Sequence, residues 1–269
     1  MTFLATGFEQ VDQSDDQEKL VTCLSEIRNH PFFRSVKEES FNLLQISPGD
    51  IILEIGCGPL DDVHIMAERC SPGGQVIGSD ISSSLVSLAK KNINPPNLSY
   101  IRMDGQFSAI RSGVCDVVRE DRVLQHVHSP GQVIGEMFQV LKPGGRCVLF
   151  EPDWANFIID GRDEAVTRAI LNFWSDQFAC GQIGRKLRRL CLNAGFSDVI
   201  VYPQTMIISS LKEAEAIFSV TENAMRASAA GLVSQQAAVE FISDLTRLDE
   251  RGLFFGSFTG YLVVGAKRA

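Results

Sequence analysis

The chain has 269 residues, 45% of them apolar and 22% charged, enough for one large hydrophobic core or one core with a small cap. Its formal charge of −8 argues against sequence-independent binding of nucleic acid, which needs clustered Lys and Arg to neutralise phosphates. No apolar run approaches the length of a membrane-spanning helix, so no membrane partner is expected.

The first residues, MTFLATGFEQVDQSDDQ, carry an acidic flank and no cationic stretch ahead of an apolar one, which is not the pattern of a signal peptide. The seven cysteines are scattered, with no Cys-x-x-Cys pair and no accompanying His cluster. A metal site is therefore not expected, and a reducing cytoplasmic setting is. Residues 17–45 have a helical period broken at His30-Pro31, and Ile51–Ile55 is a compact apolar strand followed by Gly56-Cys57-Gly58. Residues 61–70 read as a helix that ends at Ser71-Pro72-Gly73-Gly74, a turn signal. Gln75–Asp80 is a second strand, and Ser83–Asn92 a helix with Ser82 as its N-cap. Leu98–Met103 and Cys115–Arg119 are the third and fourth strands. Pro130–Leu141 is a helix stopped by Lys142-Pro143-Gly144-Gly145, and Arg146–Glu151 is a fifth strand. Strands alternating with helices at this spacing imply a parallel sheet covered on both faces.

After residue 155 the rhythm changes. Residues 162–179 and 211–249 read as amphipathic helices. Ile183–Asn193 is a helix that Gly195 closes, and Val199–Tyr202 and Thr259–Ala266 are the last strands. The expected organisation is one domain: an N-terminal helical cap (1–45), a cofactor-binding half (46–155), helical insertions (156–182 and 205–250), and the remainder of the sheet (183–204 and 251–269). The insertions either cover a substrate or simply pack on the sheet.

The chemistry is densest at ILEIGCGP, residues 52–59. A strand ending in Gly-x-Gly and opening into a helix lets backbone approach a ligand and aims N–H groups at it. Asp80 closes the second strand, where a carboxylate can accept both hydrogen bonds of a ribose diol. A dinucleotide fingerprint would place a third small residue where this chain has Asp61, with Asp62 beside it. Two carboxylates there oppose a pyrophosphate but tolerate a cationic sulfonium ligand, and they also suit a helix N-terminus. An NAD(P)-dependent oxidoreductase is thus the disfavoured reading. Glu54, inside an apolar strand, calls for a partner.

Taken together these stretches resemble the class I S-adenosylmethionine-dependent methyltransferases. ILEIGCGP is similar to their motif I and VIGSDIS (76–82) to motif II; YIRMDGQF (100–107) is similar to the third element and CDVVREDRVLQHV (115–127) to motif IV. VLKPGGRCVLFEPDW (140–154) resembles the region that follows, GRKLRRLCLNAGFSDVIV (184–201) the penultimate helix and strand, and FTGYLVVGAKR (258–268) the last strand. The nearest group is the branch similar to ubiquinone and menaquinone biosynthesis methyltransferases. Leu60 departs from it, standing where many members have a further Gly. The resemblance implies an α/β fold of seven strands in the order 3-2-1-4-5-7-6, the last antiparallel, and S-adenosylmethionine as cofactor. It also implies cofactor contacts from Glu54, Gly56, Gly58, Asp80, Ile81, Met103, Asp104, Gly105 and Arg119. The acceptor is expected to be a small molecule, methylated on O, N or C. A member that binds the cofactor without methylating, as a sensor or scaffold, has the same signature.

His126, just past the fourth strand, is the candidate general base, since imidazole exchanges protons near neutral pH. Alternatively it packs on the following helix, with Gln125 facing solvent. Asp153 and Glu151 either orient His126, bind the acceptor or serve the fold. Arg185, Lys186, Arg188 and Arg189 read as a solvated helix face, and Arg185 reaches an acidic acceptor if it points inward. Phe32, Phe33, Phe173, Trp174, Phe178, Phe254, Phe255 and Phe258 are core or cap residues, some of them available to an apolar acceptor pocket.

Overall fold

The computed structural model describes residues 8, 11–13, 17–59, 62–91 and 95–268. Leu60 and Asp61, and the expected helix end at Asn92, lie outside them.

Two helices come first, α1 (Gln17–Asn29) and α2 (Pro31–Leu43). They part at His30, whose ring accepts from the Phe32 amide while Pro31 occupies the first helical turn, where its missing N–H is harmless. The sheet domain follows as β1 (Ile51–Ile55), α3 (Asp62–Arg69), β2 (Gln75–Asp80), α4 (Ser83–Lys91), β3 (Leu98–Arg102) and β4 (Cys115–Asp121). Ser82 caps α4 by accepting the Leu85 amide at 3.1 Å, as its position predicts. A short 3-10 turn (Leu124–His126) leads to α5 (Pro130–Val140) and β5 (Leu141–Ile159). Then come α6 (Glu164–Ser175), α7 (Leu187–Ala194), β6 (Ser197–Ile208), α8 (Leu211–Phe218), α9 (Val220–Ala229), α10 (Gln235–Glu250) and β7 (Gly256–Ala266). Gly195 ends α7 at φ 104°, a left-handed position that favours glycine.

The seven strands form one sheet in the order β3-β2-β1-β4-β5-β7-β6. Strands β1 to β5 pair in parallel, and β7 runs antiparallel between β5 and β6. One face packs on α2, α3 and the late helices through residues such as Phe33, Phe41, Ile52, Met66, Trp154 and Phe218. The other packs on α5 and α7 through Leu53, Val118, Ile134, Met137, Leu149 and Leu187. Each fully buried side chain of this size contributes about 1.5–3 kcal/mol.

The late part differs from its sequence reading in two ways. The run 211–249 is three helices, because Ser219 adopts a left-handed conformation (φ 48°) and Ser234 opens a new helix by capping the Ala237 amide. Strands β5, β6 and β7 are also longer than expected. Phe157, Ile159, Met206, Ile208 and Phe258 all face the helices, whereas Ile158 and Ile207 between them are exposed. That period of two continues the ribbon to Ile159 and Ile208. Within β5 the partner register on β7 jumps from Asp153↔Thr259 to Ile158↔Ser257. The resulting bulge contains Trp154.

Candidate active site

The carboxyl ends of β1, β2 and β4 meet at one cavity of about 470 Å³, within the range of small-molecule sites. Its floor is the glycine loop. Gly56 (φ 68°) and Gly58 (φ 55°) are both left-handed, and a Cβ on Gly56 would lie 2.3 Å from Val123 Cγ2, so a larger residue would be strained and would have to move the Val123 side chain. The Gly58 amide donates to Asp80 Oδ2 (3.0 Å) and the Ser82 amide to Oδ1 (2.9 Å). Burial raises the Asp80 carboxyl above its ordinary range, and these amides pull the other way. A carboxylate has about four acceptor positions, so each Asp80 oxygen keeps capacity for a ligand hydroxyl. Ile81, Met103, Asp104 and Gly105 line the neighbouring wall. Asp104 Oδ1 accepts the Gln106 amide at 2.9 Å, and Met103 Sδ accepts the Ala109 amide at 3.3 Å.

Glu54 borders the same cavity. Its Oε1 accepts from Arg119 at 2.5 Å, while its Oε2 is buried and has no hydrogen-bond partner among the described residues. Burial pushes Glu54 up to about 7 against the pull of Arg119, with Asp62 and Asp121 adding to the rise. Arg119, expected as a cofactor contact, does not line the cavity. It is fully buried behind Glu54, where it bonds Ser40 (3.1 Å), Asp62 (3.4 Å) and Asp121 (2.9 Å) and covers the Phe41 ring at 4.9 Å. Its role is to hold the acids that line the site. Lys37 of α2 completes the cluster through Asp62 and Asp121; against the opposing effect of burial, Lys37 and Arg119 hold Asp62, and Lys37, Arg122 and Arg119 hold Asp121, below the usual range. Asp62 is thereby committed to protein partners.

Above the glycine loop stands the β4 turn. Arg122 is strained at φ 61° and is fixed by its amide to Phe150 O at 2.8 Å. His126 lines the cavity between the rings of Phe8 and Phe178, at centroid distances of 5.5 and 5.8 Å. Gln125 is buried rather than solvent-facing, because its Oε1 accepts the Trp154 indole N–H at 2.6 Å. Glu151 reaches the Leu124 and Gln125 amides, and Asp153 pairs with Arg185, which also bonds Asn156. Arg185 is therefore tied to the strand. Phe33, Trp154, Trp174, Phe178 and Phe218 build an apolar wall, with Leu24 and Ile27 of α1 opposite. All three helical segments thus contribute to the cavity.

Asp12 was not singled out by sequence. It accepts from the Ser83 amide and hydroxyl (2.8 Å each), the Ser84 amide (3.1 Å) and the Ser82 hydroxyl. Although burial opposes it, these donors hold its carboxyl well below the usual range. This contact at the start of α4 pins Val11, another cavity residue, beside Leu85. Asp12→Ala is expected to speed cofactor release a fewfold, since losing a cap-type carboxylate costs about 1 kcal/mol. Stopped-flow displacement of bound cofactor reads this, and an unchanged rate argues that the contact does not retain ligand.

Among the described residues no His, Cys, Asp and Glu grouping could hold a metal ion, and no helix is long and apolar enough to cross a membrane.

A sheet of this order, with a left-handed glycine pair after β1 and an acid at the tip of β2, defines the class I methyltransferase fold. The family described as "Methyltransferase domain" matches residues 53–149. An uncharacterised 37.1 kDa protein in transposon TN4556 of Streptomyces fradiae is 36% identical over 246 residues, covering 91% of this chain and 70% of that one. A demethylmenaquinone methyltransferase of Lactococcus lactis is 29% identical over 141 residues, 51% of this chain and 54% of that one. The chain thus spans about half the length of that relative. Among solved structures, phosphoethanolamine N-methyltransferase 2 of Haemonchus contortus with S-adenosyl-L-methionine superposes with a TM-score of 0.62 at 15% identity, covering 100% of this chain and 61% of that one. Residues 53–149 thus carry a methyltransferase domain of the S-adenosylmethionine-dependent type, and the relatives that this part of the chain matches include demethylmenaquinone and ubiquinone/menaquinone methyltransferases.

Proposed function

We propose that the protein transfers a methyl group to a small, largely apolar acceptor, with His126 removing the acceptor's proton. The observation that carries this reading is the continuity of one cavity, in which Gly56, Gly58, Asp80 and Asp104 share a space with His126 and the aromatic wall. The residues suit the cofactor: the glycine turn leaves backbone uncovered, Asp80 keeps acceptor capacity, and the buried, unpartnered Glu54 Oε2 suits an ammonium group. Ile81, Met103 and Gly105 would flank the adenine, with Asp104 at its amino group.

When bound, the cofactor supplies an electrophilic methyl on a sulfonium. The protein's share is geometric and electrostatic. The aromatic wall excludes water and holds the acceptor against the β4 turn, which favours in-line approach. His126 takes the proton of a hydroxyl acceptor as its oxygen attacks. Against a dinucleotide stands Asp62, a carboxylate already bound to Lys37 and Arg119 where a pyrophosphate would meet the helix N-terminus.

Asp80→Ala tests the cofactor half. Loss of hydrogen bonds to a charged group is expected to cost about 1.5–3 kcal/mol of affinity for S-adenosylmethionine, roughly ten- to a hundredfold. Isothermal titration measures it, and unchanged affinity removes the ribose assignment.

A further inference from the structure

Behind the turn that carries His126 lie two carboxyls that the proposed chemistry does not use. Glu120 on β4 and Glu151 on β5 are both completely buried. Glu120 is in register with Leu149, and Asp121 with Phe150. Strand alternation therefore puts Glu120 and Glu151 on the same face of neighbouring parallel strands.

Each carboxyl uses one oxygen on the turn. Glu120 Oε2 accepts the Val123 amide at 3.2 Å. Glu151 Oε1 accepts the Leu124 amide and, at 3.3 Å, the Gln125 amide. These are the donors that the start of a helical turn leaves without intrahelical partners. The other two oxygens, Glu120 Oε1 and Glu151 Oε2, are buried and receive no donor from the described protein, while the register sets the two side chains beside one another and each shifts the other's proton affinity. Ionised carboxylates only accept hydrogen bonds, and two in contact cannot both remain charged away from water. One proton between them satisfies both oxygens.

The turn transmits its position outward. Gln125 Nε2 donates to Arg122 O at 3.0 Å, and Gln125 O accepts the Cys180 amide at 2.9 Å. Gln125 Oε1 holds the Trp154 indole. His126 is the next residue.

We propose that Glu120 and Glu151 form a proton-sharing pair that positions the Val123–His126 turn, and through Gln125 the Trp154 indole, in the wall of the acceptor cavity. Both are positioning residues, and the proposal holds whatever acceptor the cavity takes.

Glu120 is the proton carrier. Glu151 accepts two amides, which favour its charge, whereas Glu120 accepts one. Burial raises both carboxyls above the ordinary range, and the charge on Glu151 raises Glu120 further. The surrounding titratable and charged groups are otherwise engaged or alternate in place. Arg119 and Asp121 flank Glu120 on β4 and belong to the cluster with Lys37. On β5, Cys147 interacts with Cys191 of α7, and Asp153 pairs with Arg185. Tyr261 of β7 is in register with Glu151, and His126 lies on the turn itself. A carboxyl whose folded pKa is raised gives stability that is present below its unfolded value and is lost as pH rises through the folded one. Alkaline pH should therefore ionise both carboxyls and loosen the turn.

The test reads the Trp154 indole N–H by nitrogen-15 NMR of the full chain, with no ligand added. The protein has two tryptophans, and Trp154→Phe assigns the signal. In the wild type the resonance should move, on raising pH from neutral, toward the position of an indole bonded to water, before global unfolding seen by circular dichroism. Glu120→Gln, whose amide donates permanently to Glu151, should keep the resonance at its neutral-pH position throughout. Glu120→Leu should show the alkaline position already at neutral pH. A wild-type resonance that stays fixed up to unfolding overturns the proposal, as does an unchanged titration in Glu120→Gln. Should Glu120→Leu fail to fold, the comparison of wild type with Glu120→Gln carries the test.

Discussion

Replacing His126 with alanine is expected to lower kcat by roughly 10²–10⁴-fold on a hydroxyl acceptor, the range for loss of a positioned general base. Cofactor affinity should stay nearly intact, because Gly58, Asp80 and Asp104 lie on other strand ends. The wild-type rate should fall as pH drops, since a protonated imidazole cannot accept the acceptor's proton. An acceptor that attacks without losing a proton, such as a neutral amine or an enolate, should show only a mild effect, as positioning then suffices. Single-turnover measurement separates methyl transfer from product release. A full-rate His126→Ala enzyme on a hydroxyl substrate would end the general-base role and turn attention to positioning alone.

Arg119→Met should destabilise the fold by about 3–5 kcal/mol, the cost of removing one partner from a buried ion cluster. The guanidinium meets Glu54, Asp62, Asp121 and Ser40 at once. Methionine keeps some of the volume over Phe41 but leaves Glu54 without its cation. Urea unfolding gives the change, and a loss under about 1 kcal/mol would place the pair among the weak surface type. The aspartates of the cluster also set the acid limit. Both hold protons less tightly than in the unfolded chain, so their contribution is present above the unfolded pKa of about 4 and is lost as pH falls below it.

The sheet was largely legible. Short apolar runs separated by turn residues located β1 to β4 and the Arg146–Glu151 part of β5, which in fact begins at Leu141 and takes in the expected Lys142–Gly145 turn; the resemblance supplied the strand order. Gly56, Gly58 and Asp80, which share one cavity, stand out through a glycine turn and a strand-end acid, whereas Asp104 came from the resemblance alone. Glu54 stands out in the sequence as a carboxylate in an apolar strand, but its partner Arg119, expected at the cofactor, turns instead toward Ser40 and Phe41 of α2, which no local pattern brings near it. The burial of Gln125, solvent-facing in the alternative reading of His126, was hidden for the same reason: its partner, Trp154, arrives through a bulge on a different strand. The length of β5 and β6 was hidden because Asn156, Gln204 and Thr205 interrupt the apolar rhythm while the alternation of faces continues. Asp12 had no signal at all, since its three serines lie some seventy residues away.

The bulge in β5 also lies just beyond the stretch that the methyltransferase family matches. The recognised methyltransferase stretch ends at residue 149, five residues before Trp154 begins the acceptor wall, and the remaining wall residues come from outside that stretch on both sides. On the proposed function, most of the acceptor wall lies outside the stretch that carries the glycine turn, Asp80 and His126, and one strand joins the two. On that proposal, mutations in Phe33, Trp174 or Phe218 are expected to change which acceptor is methylated while leaving Gly56 and Asp80 in place. A graft of foreign acceptor walls onto this sheet would be cut between Phe150 and Trp154, with Glu151 kept on the host side to hold the turn.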